Sequence, residues 1–153
     1  MTLIPQYFDV DHNKTYVRRL GMRYLFTDGS YDNGIAGWAV VEEEECIAQG
    51  WKRGVSSNLA EGEAIVAALR LAYQDNAMIF TDSMGWVKAL SKNSTFKRKE
   101  TVSLLEEAFD LYHPKRHVVE WVPSHTGRIL GNELADSYAK QARLLKDAQP
   151  ITC

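Results

Sequence analysis

The chain has 153 residues, of which 45% are hydrophobic and 25% charged, and this composition predicts one ordinary domain with enough apolar material for a core. The formal net charge of -2 argues against a protein that coats nucleic acid non-specifically, because such affinity comes mainly from Lys and Arg neutralising phosphates. No apolar run approaches the roughly 20 residues that span a bilayer, and the N-terminus lacks a signal-peptide pattern, so we expect a cytoplasmic protein without membrane contact.

The first part of the chain predicts an antiparallel meander. Residues 1–22 are polar and irregular in pattern, and no element is assigned to them. Short β-prone runs follow at residues 23–26, 36–41 and 46–51. A turn rich in Gly, Asp and Asn separates the first two runs. Four consecutive acids, at residues 42–45, separate the last two and most simply form a solvated hairpin turn.

The rest of the chain predicts alternating helices and strands. Residues 59–73 are rich in Ala and Leu at helical spacing and follow a cluster of N-cap residues. The strand at 78–81 comes after this full helix, so it most simply pairs in parallel through a right-handed crossover. The remaining elements are helices at 83–90 and 100–112, a strand at 118–122 and a helix at 132–145.

This order predicts an α/β fold with a five-stranded mixed sheet, three antiparallel strands and then two parallel ones, flanked by helices. We expect residues 23–146 to form the domain, preceded by an extension at 1–22 and followed by a tail at 147–153. Cys46 and Cys153 are too few for a disulfide framework or a zinc cluster, and we expect both to be free thiols.

Four carboxylates stand out against this background. Asp28 and Asp82 directly follow apolar, β-prone runs, where an unpartnered charge would be excluded. If their strands are neighbours, the two acids face each other at the carboxyl ends of the strands, about 5 Å apart, where ligands bind in open sheets. Glu61 enters from the first turn of one helix and Asp136 from the first turns of the last. Four acids around one crevice repel one another unless cations neutralise them, so the pattern predicts a two-metal site for phosphoryl chemistry.

The ordered contexts of these acids resemble type 1 ribonuclease H from about residue 23 to residue 142. The matching stretches are Phe26-Thr27-Asp28-Gly29-Ser30, Asn58-Leu59-Ala60-Glu61, Phe80-Thr81-Asp82-Ser83, Trp121-Val122-Pro123-Ser124-His125-Thr126-Gly127 and Gly131-Asn132-Glu133-Leu134-Ala135-Asp136. The resemblance implies the ribonuclease H-like fold and an endonuclease that cuts the RNA strand of RNA–DNA hybrids. It also implies two Mg²⁺ ions, with Mn²⁺ as a substitute, and products with 5′-phosphate and 3′-hydroxyl ends.

The resemblance assigns catalytic roles to five positions. Asp28 would bridge both metals, Glu61 and Asp82 would each complete the shell of one, and Asp136 would hold the ion near the attacking water. His125, in the loop after the fifth predicted strand, would assist proton movement or release of the cleaved phosphate.

The resemblance also implies a hybrid-binding surface. Ser57 and Asn58 match polar residues that contact base edges and sugars in the minor groove, and Gly29 would let the backbone approach a 2′-hydroxyl closely. The other expected substrate-binding residues are Ser30, Ser83, Met84, Trp86, Lys97, Arg98 and Lys99.

Three of these positions carry particular expectations. Met84 stands where family members often have glutamine, so a groove contact there cannot be polar. Among the tryptophans, Trp86, one helical turn beyond Asp82, is the best candidate to pack against a DNA sugar, although core packing is the favoured interpretation because large aromatics are mainly buried. The cluster at residues 97–99 is all that remains of the basic protrusion of some bacterial members, so we expect modest, salt-dependent hybrid affinity.

Two other functions remain open on the sequence alone. Integrases, transposases and junction resolvases share a comparable acidic cluster on the same fold, and a noncatalytic hybrid-binding module would show loss of an acid. The contexts of Asp28 and Asp136 favour the ribonuclease, and all four acids are present. We expect the protein to act on the hybrid as a monomer, without an obligate protein partner.

Overall fold

Seven strands and four helices make up the described chain. The computed structural model describes residues 3–9, 14–19, 21–124 and 129–145, the first two ranges by their backbone alone. The strands are β1 (Leu3–Asp9), β2 (Lys14–Arg19), β3 (Met22–Asp32), β4 (Ile35–Glu42), β5 (Glu45–Arg53), β6 (Asn76–Thr81) and β7 (His117–Trp121). The helices are α1 (Ser57–Leu71), α2 (Met84–Leu90), α3 (Lys99–Leu111) and α4 (Leu130–Leu144).

Five strands form a mixed sheet in the order β5-β4-β3-β6-β7. The pairs β3–β4 and β4–β5 are antiparallel, whereas β3–β6 and β6–β7 are parallel. Each parallel pair is joined through one or more helices, as parallel pairing requires. The predicted fold, a five-stranded mixed sheet flanked by helices, is confirmed.

Strand β3 is longer than the sequence predicts. The expected strand covered residues 23–26, whereas β3 runs from Met22 to Asp32. Its polar second half stays in the antiparallel ladder with β4, which closes through a two-residue turn at Asn33 and Gly34. Both turn residues have positive φ, 49° and 80°, as tight hairpin turns require.

The extension of β3 changes the position of Asp28. Asp28 lies opposite Ala39 inside the antiparallel ladder, so the prediction that it ends its strand is wrong. The parallel ladder with β6, however, stops where Phe26 meets Phe80, two residues before Asp28. Asp82 directly follows the last residue of β6. The two acids therefore both lie beyond the end of the parallel ladder.

Alternating residues of β3 face two separate cores. Leu25 belongs to the core between the sheet and helices α1 to α3, and Phe26 to the core on the other face, under α4. Phe26 stacks on Phe80 with ring centroids 4.6 Å apart. A Cβ at Gly131 would overlap the Phe26 ring, so the first turn of α4 packs directly on it. Burying each such side chain contributes roughly 1.5–3 kcal/mol.

The residues before β3 form a second, two-stranded antiparallel sheet from β1 and β2. No element was predicted there, because residues 1–22 are polar and irregular in pattern. The pairing register shifts between Ile4 and Gln6, an irregularity that a proline without an N–H accommodates. The division into an extension, a domain and a tail stays a prediction, and residues 147–153 lie outside the described residues.

Cys46 on β5 corrects another expectation. It takes part in a disulfide, so the prediction of a free thiol is wrong for this residue. Cys153 lies outside the described residues.

None of the helices in the described ranges is both long enough and apolar enough to cross a bilayer.

Candidate active site

The N-terminus of α1 brings polar residues to one end of the sheet. Ser56 is the N-cap, and its Oγ accepts a hydrogen bond from the Leu59 amide at 3.3 Å. This cap starts the helix at Ser57 and places Ser57, Asn58 and Glu61 in its first two turns. The predicted N-cap cluster is confirmed, although the helix begins two residues earlier than expected.

Gly29 allows α1 to lie directly on β3. A Cβ at this position would overlap the Ala60 carbonyl carbon and the Glu61 amide nitrogen, so a larger residue would push the helix away. The Gly29 amide donates to Oδ1 of Asp28 at 2.9 Å and to Oε1 of Glu61 at 2.5 Å. One backbone N–H therefore joins the carboxylates of the strand and the helix.

Asp82 is held by the turn between β6 and α2. The Ser83 amide donates to Oγ1 of Thr81 at 3.0 Å, and the Ser83 Oγ accepts from the Trp86 amide at 3.2 Å as the N-cap of α2. These bonds fix the backbone on the C-terminal side of Asp82.

The three acids converge. One carboxylate oxygen from each of Asp28, Glu61 and Asp82 lies within 4.8 Å of the other two. They open into a polar cavity of about 290 Å³. Its lining residues are Asp28, Gly29, Ser57, Asn58, Glu61, Asp82, Ser83, Ser124 and Asp136.

The electrostatics of this cluster are unfavourable without a cation. Burial, followed by the charge of Asp82, raises the pKa of Asp28 to about 8. Burial, followed by the charge of Asp28, raises the pKa of Glu61 well above its ordinary range. Closely spaced carboxylate oxygens are the ligands that Mg²⁺ and Mn²⁺ prefer, and a divalent ion would remove the repulsion. The donor set therefore fits divalent metal.

Asp136 faces the same cavity from α4 and lies close enough to Asp28 to help raise the pKa of that carboxyl. Its Oδ2 lies 3.1 Å from Nζ of Lys140, one turn further along the helix. At the start of α4, the buried Asn132 donates from Nδ2 to the Pro123 carbonyl at 3.4 Å. This bond ties the helix to the segment that follows β7.

The comparison with protein families decides the identity of this fold and site. A family model described as RNase H matches residues 22–143, about four fifths of the chain. The chain belongs to the RNase H family. Membership assigns it an RNase H-type function, and no curated protein matches the chain.

Solved structures share the RNase H fold with this chain. RNase H1 from the halophilic archaeon Halobacterium salinarum NRC-1 is 24% identical with a TM-score of 0.61, covering 84% of this chain and 100% of that one. The N-terminal RNase H domain of a Mycobacterium tuberculosis protein is 21% identical with a TM-score of 0.65, covering 80% and 98%. LC11-RNase H1, isolated from compost by a metagenomic approach, was solved with an RNA/DNA hybrid; it is 15% identical with a TM-score of 0.59, covering 78% and 98%.

The structure gathers most of the residues that the sequence proposes for this RNase H site. All four predicted acids line the cavity, and four of the predicted substrate-binding residues line it with them: Gly29, Ser57, Asn58 and Ser83. Ser124 also lines it and was not predicted, although its place after a parallel strand could have indicated it. His125 lies outside the described residues.

The other predicted substrate-binding residues lie away from the cavity wall. Met84 begins α2 with 43% of its surface exposed, and Lys97, Arg98 and Lys99 are exposed at the start of α3. The Oγ of Ser30 instead accepts a hydrogen bond from Nε of Arg143 at 2.9 Å.

Trp86 requires a correction. Its side chain is fully buried, so the core packing that the sequence favours is confirmed and the proposed contact with a DNA sugar is wrong. The indole lies in the core between α1 and α3. Its Nε1 donates to the Asn58 carbonyl at 2.8 Å, which satisfies its polar atom inside the protein.

Proposed function

We propose that this protein hydrolyses the RNA strand of RNA–DNA hybrids with two Mg²⁺ ions, for which Mn²⁺ can substitute, leaving 5′-phosphate and 3′-hydroxyl ends. The observation that carries the proposal is the convergence of Asp28, Glu61 and Asp82 within 4.8 Å in a chain of the RNase H family. Three acids packed together at one end of a sheet, one buried and two partly buried, are costly to the fold unless they bind cations.

The metal ligands proposed here are Asp28, Glu61, Asp82 and Asp136. Asp28 would be the ligand shared by two ions, because it lies between the other two acids. The Gly29 amide joins it to Glu61, and Asp82 lies close enough for its charge to raise the pKa of Asp28. Divalent ions bound at this site would activate water and offset the charge of the phosphate. Asp136 would hold the ion nearest the water. Its carboxylate would then bind metal in place of its ion pair with Lys140.

The proposed substrate surface surrounds the acids. Ser57, Asn58 and Ser83 present hydrogen-bonding groups along the cavity, suited to the 2′-hydroxyls and base edges of a minor groove. Gly29 adds a backbone position without a side chain at the same wall. The hybrid bound to LC11-RNase H1 supports this class of substrate.

The outer contacts are proposed on exposure and charge. Met84 offers an accessible apolar side chain beside Ser83. The cluster at Lys97, Arg98 and Lys99 is free to reach phosphates of the DNA strand, because all three side chains are exposed. His125 is proposed to assist proton movement or phosphate release, on the resemblance alone.

The test is a cleavage assay on three labelled substrates of one sequence: an RNA–DNA hybrid, duplex DNA and single-stranded RNA. We expect the hybrid alone to be cut, in its RNA strand, only with Mg²⁺ or Mn²⁺. End analysis should give 5′-phosphates. Asp82→Asn is the negative control, and His125→Ala should slow turnover without abolishing it.

Other outcomes would redirect the proposal. Cleavage of duplex DNA in preference to the hybrid would favour an integrase- or resolvase-type nuclease. Tight hybrid binding without cleavage at any metal concentration would favour a noncatalytic binding module.

A further inference from the structure

The buried Trp86 contacts Asn58 and Ser83, two residues of the proposed substrate surface, and Phe96, which precedes a third part of it. Its indole Nε1 donates to the Asn58 carbonyl at 2.8 Å, and its backbone amide donates to the Ser83 Oγ at 3.2 Å. Asn58 and Ser83 both line the acid cavity, one from α1 and the other from the cap of α2. A single residue therefore bonds to both polar walls without reaching the cavity itself.

Gly62 makes room for the indole. A Cβ at this position would overlap the Trp86 ring, and it would stand 2.7 Å from Cδ2 of Leu104. Glycine is disfavoured inside a helix, because it loses the most conformational freedom on folding. Gly62 lies one turn after Asn58 and directly after Glu61. A poor helix former therefore stands at the position of α1 that the indole packs against.

The third contact leads toward the basic cluster. Phe96 packs on Trp86 with ring centroids 4.8 Å apart. Phe96 directly precedes Lys97, the first residue of the exposed cluster at 97–99. The indole thus supports the segment that carries the proposed phosphate contacts, as well as the two cavity walls.

We propose that Trp86 is a positioning residue for hybrid recognition: its indole N–H sets the position of the α1 N-terminus relative to α2, and thereby the spacing of Asn58 and Ser83 along the minor groove. This inference rests on the proposed function. Trp86 acts through Asn58 and does not contact the substrate. It should govern how tightly the hybrid is held more than how fast the bound hybrid is cut.

The test is a double-mutant cycle between Trp86→Phe and Asn58→Ala in the full chain. Trp86→Phe keeps a buried aromatic ring and removes the N–H. We expect its KM for a labelled hybrid to rise about threefold to tenfold, the usual worth of one hydrogen bond, with kcat within about twofold of the wild type. Anisotropy titration of the hybrid in EDTA should show the same loss of affinity.

Asn58→Ala keeps the main-chain carbonyl that accepts the indole N–H but removes the side chain whose position that bond sets. In this background, Trp86→Phe should therefore add little further loss of hybrid affinity. Trp51→Phe, a partly buried tryptophan on β5 outside the cavity, is the matched control and should leave KM unchanged. Thermal unfolding of every variant separates this effect from a general loss of stability. If Trp86→Phe does not fold, benzothienylalanine at position 86 keeps the bicyclic ring and removes only the N–H.

Two results would overturn the inference. The first is a KM for Trp86→Phe equal to that of the wild type. The second is an equal loss of affinity from Trp86→Phe in the wild type and in Asn58→Ala, which would indicate structural damage alone. These results leave the proposed function intact, provided that the wild type binds and cuts the hybrid. A wild type that neither binds nor cuts the hybrid would refute both.

Discussion

Arg143 near the end of α4 is joined to Ser30 on β3, with its Nε 2.9 Å from the serine Oγ. The same guanidinium reaches Oδ2 of Asp32 at 3.4 Å. Ser30 lies two residues beyond Asp28 on the same face of the strand, and Asp136 lies two turns before Arg143 on the helix. The bond therefore helps to fix the helix that carries one acid to the strand that carries another.

Removing this bond should weaken the attachment of α4. We expect Arg143→Met to lower the free energy of unfolding by about 1–2 kcal/mol, because it deletes a charge-assisted hydrogen bond at a mostly buried position. Urea unfolding measures the change. Ser30→Ala should reproduce part of it, and the double variant should lose less than the sum of the single losses. Additive losses would show that the two side chains do not act together.

Gly29 offers a test of how closely α1 must approach β3. Gly29→Ala places a Cβ against the backbone of Ala60 and Glu61, which cannot move without displacing the helix. We expect a loss of about 1–3 kcal/mol, as for other overpacked sites, together with weaker Mn²⁺ binding as Glu61 moves away from Asp28. Chemical unfolding and calorimetric titration with Mn²⁺ measure the two effects.

Gly85→Ala is the matched control for that variant. The nearest atoms to a Cβ at Gly85 are 3.8 Å away, and the residue lies in α2. The change should stabilise the protein by up to about 1 kcal/mol through helix propensity, with unchanged Mn²⁺ affinity. Equal losses of stability and of Mn²⁺ affinity in Gly29→Ala and Gly85→Ala would mean that the lack of space at Gly29 does not cause the effect.

The raised pKa of Asp28 predicts an unusual pH dependence of stability without metal. The folded protein holds this proton up to about pH 8, whereas the ordinary value is 3.8, so the folded state binds the proton more tightly than the unfolded chain. The resulting stabilisation is fully present below about pH 4 and is lost as the pH rises through 8. In EDTA, Tm should therefore fall between pH 5 and pH 8.

Asp28→Asn should flatten that profile, because asparagine carries no ionisable proton at the centre of the cluster. Added Mg²⁺ should stabilise the wild type more at pH 8 than at pH 5, since metal binds the deprotonated carboxylates. Both are measured by thermal unfolding across pH with and without metal. A wild-type Tm in EDTA that rises from pH 5 to pH 8 would contradict the assigned pKa direction.

The basic cluster predicts the salt dependence of hybrid binding. Lys97, Arg98 and Lys99 form three consecutive exposed cations at the start of α3 in a chain whose net charge is -2, so they are a local positive cluster that can contact phosphates. Replacing all three by glutamine should weaken hybrid binding. It should also reduce the slope of log affinity against log salt concentration by the amount expected for up to about three lost phosphate contacts. Anisotropy titrations at several salt concentrations measure this. Lys115→Gln, in the exposed turn before β7, is the control.

Much of the fold follows from local patterns. The parallel orientation of β6 is predictable because a full helix, α1, precedes it. Its place beside β3, which brings Asp28 and Asp82 together, is only a condition on the sequence alone and is supplied by the structure. Glu61 follows from the N-cap at Ser56, which sets the start of α1. These signals are short in range, and the sequence displays them directly.

The parts that were not predicted depend on long-range packing. The sequence around Asp28 and Gly29 has the composition of a turn, yet it continues a strand because β4 offers a partner for its backbone. The sequence allows Trp86 a place in a groove or in the core, and the space that lets the indole into the core depends on Gly62 of another helix, α1. The partner of Arg143 could not be foreseen, because Ser30 lies 113 residues away.

The parallel ladder between β3 and β6 ends at Phe26 and Phe80. This end point determines which insertions and deletions the site can tolerate during evolution. A one-residue insertion in β6 would slide Asp82 by about 3.3 Å and turn it to the opposite face of the sheet. Substitutions that keep the strands paired and the helices seated on them leave the acids in place, whereas insertions are tolerated outside the ladder, for example between α1 and β6. Lineages carrying this chain should therefore vary in loop length and in side chains away from the site, yet keep the number of residues from Phe80 to Asp82 constant.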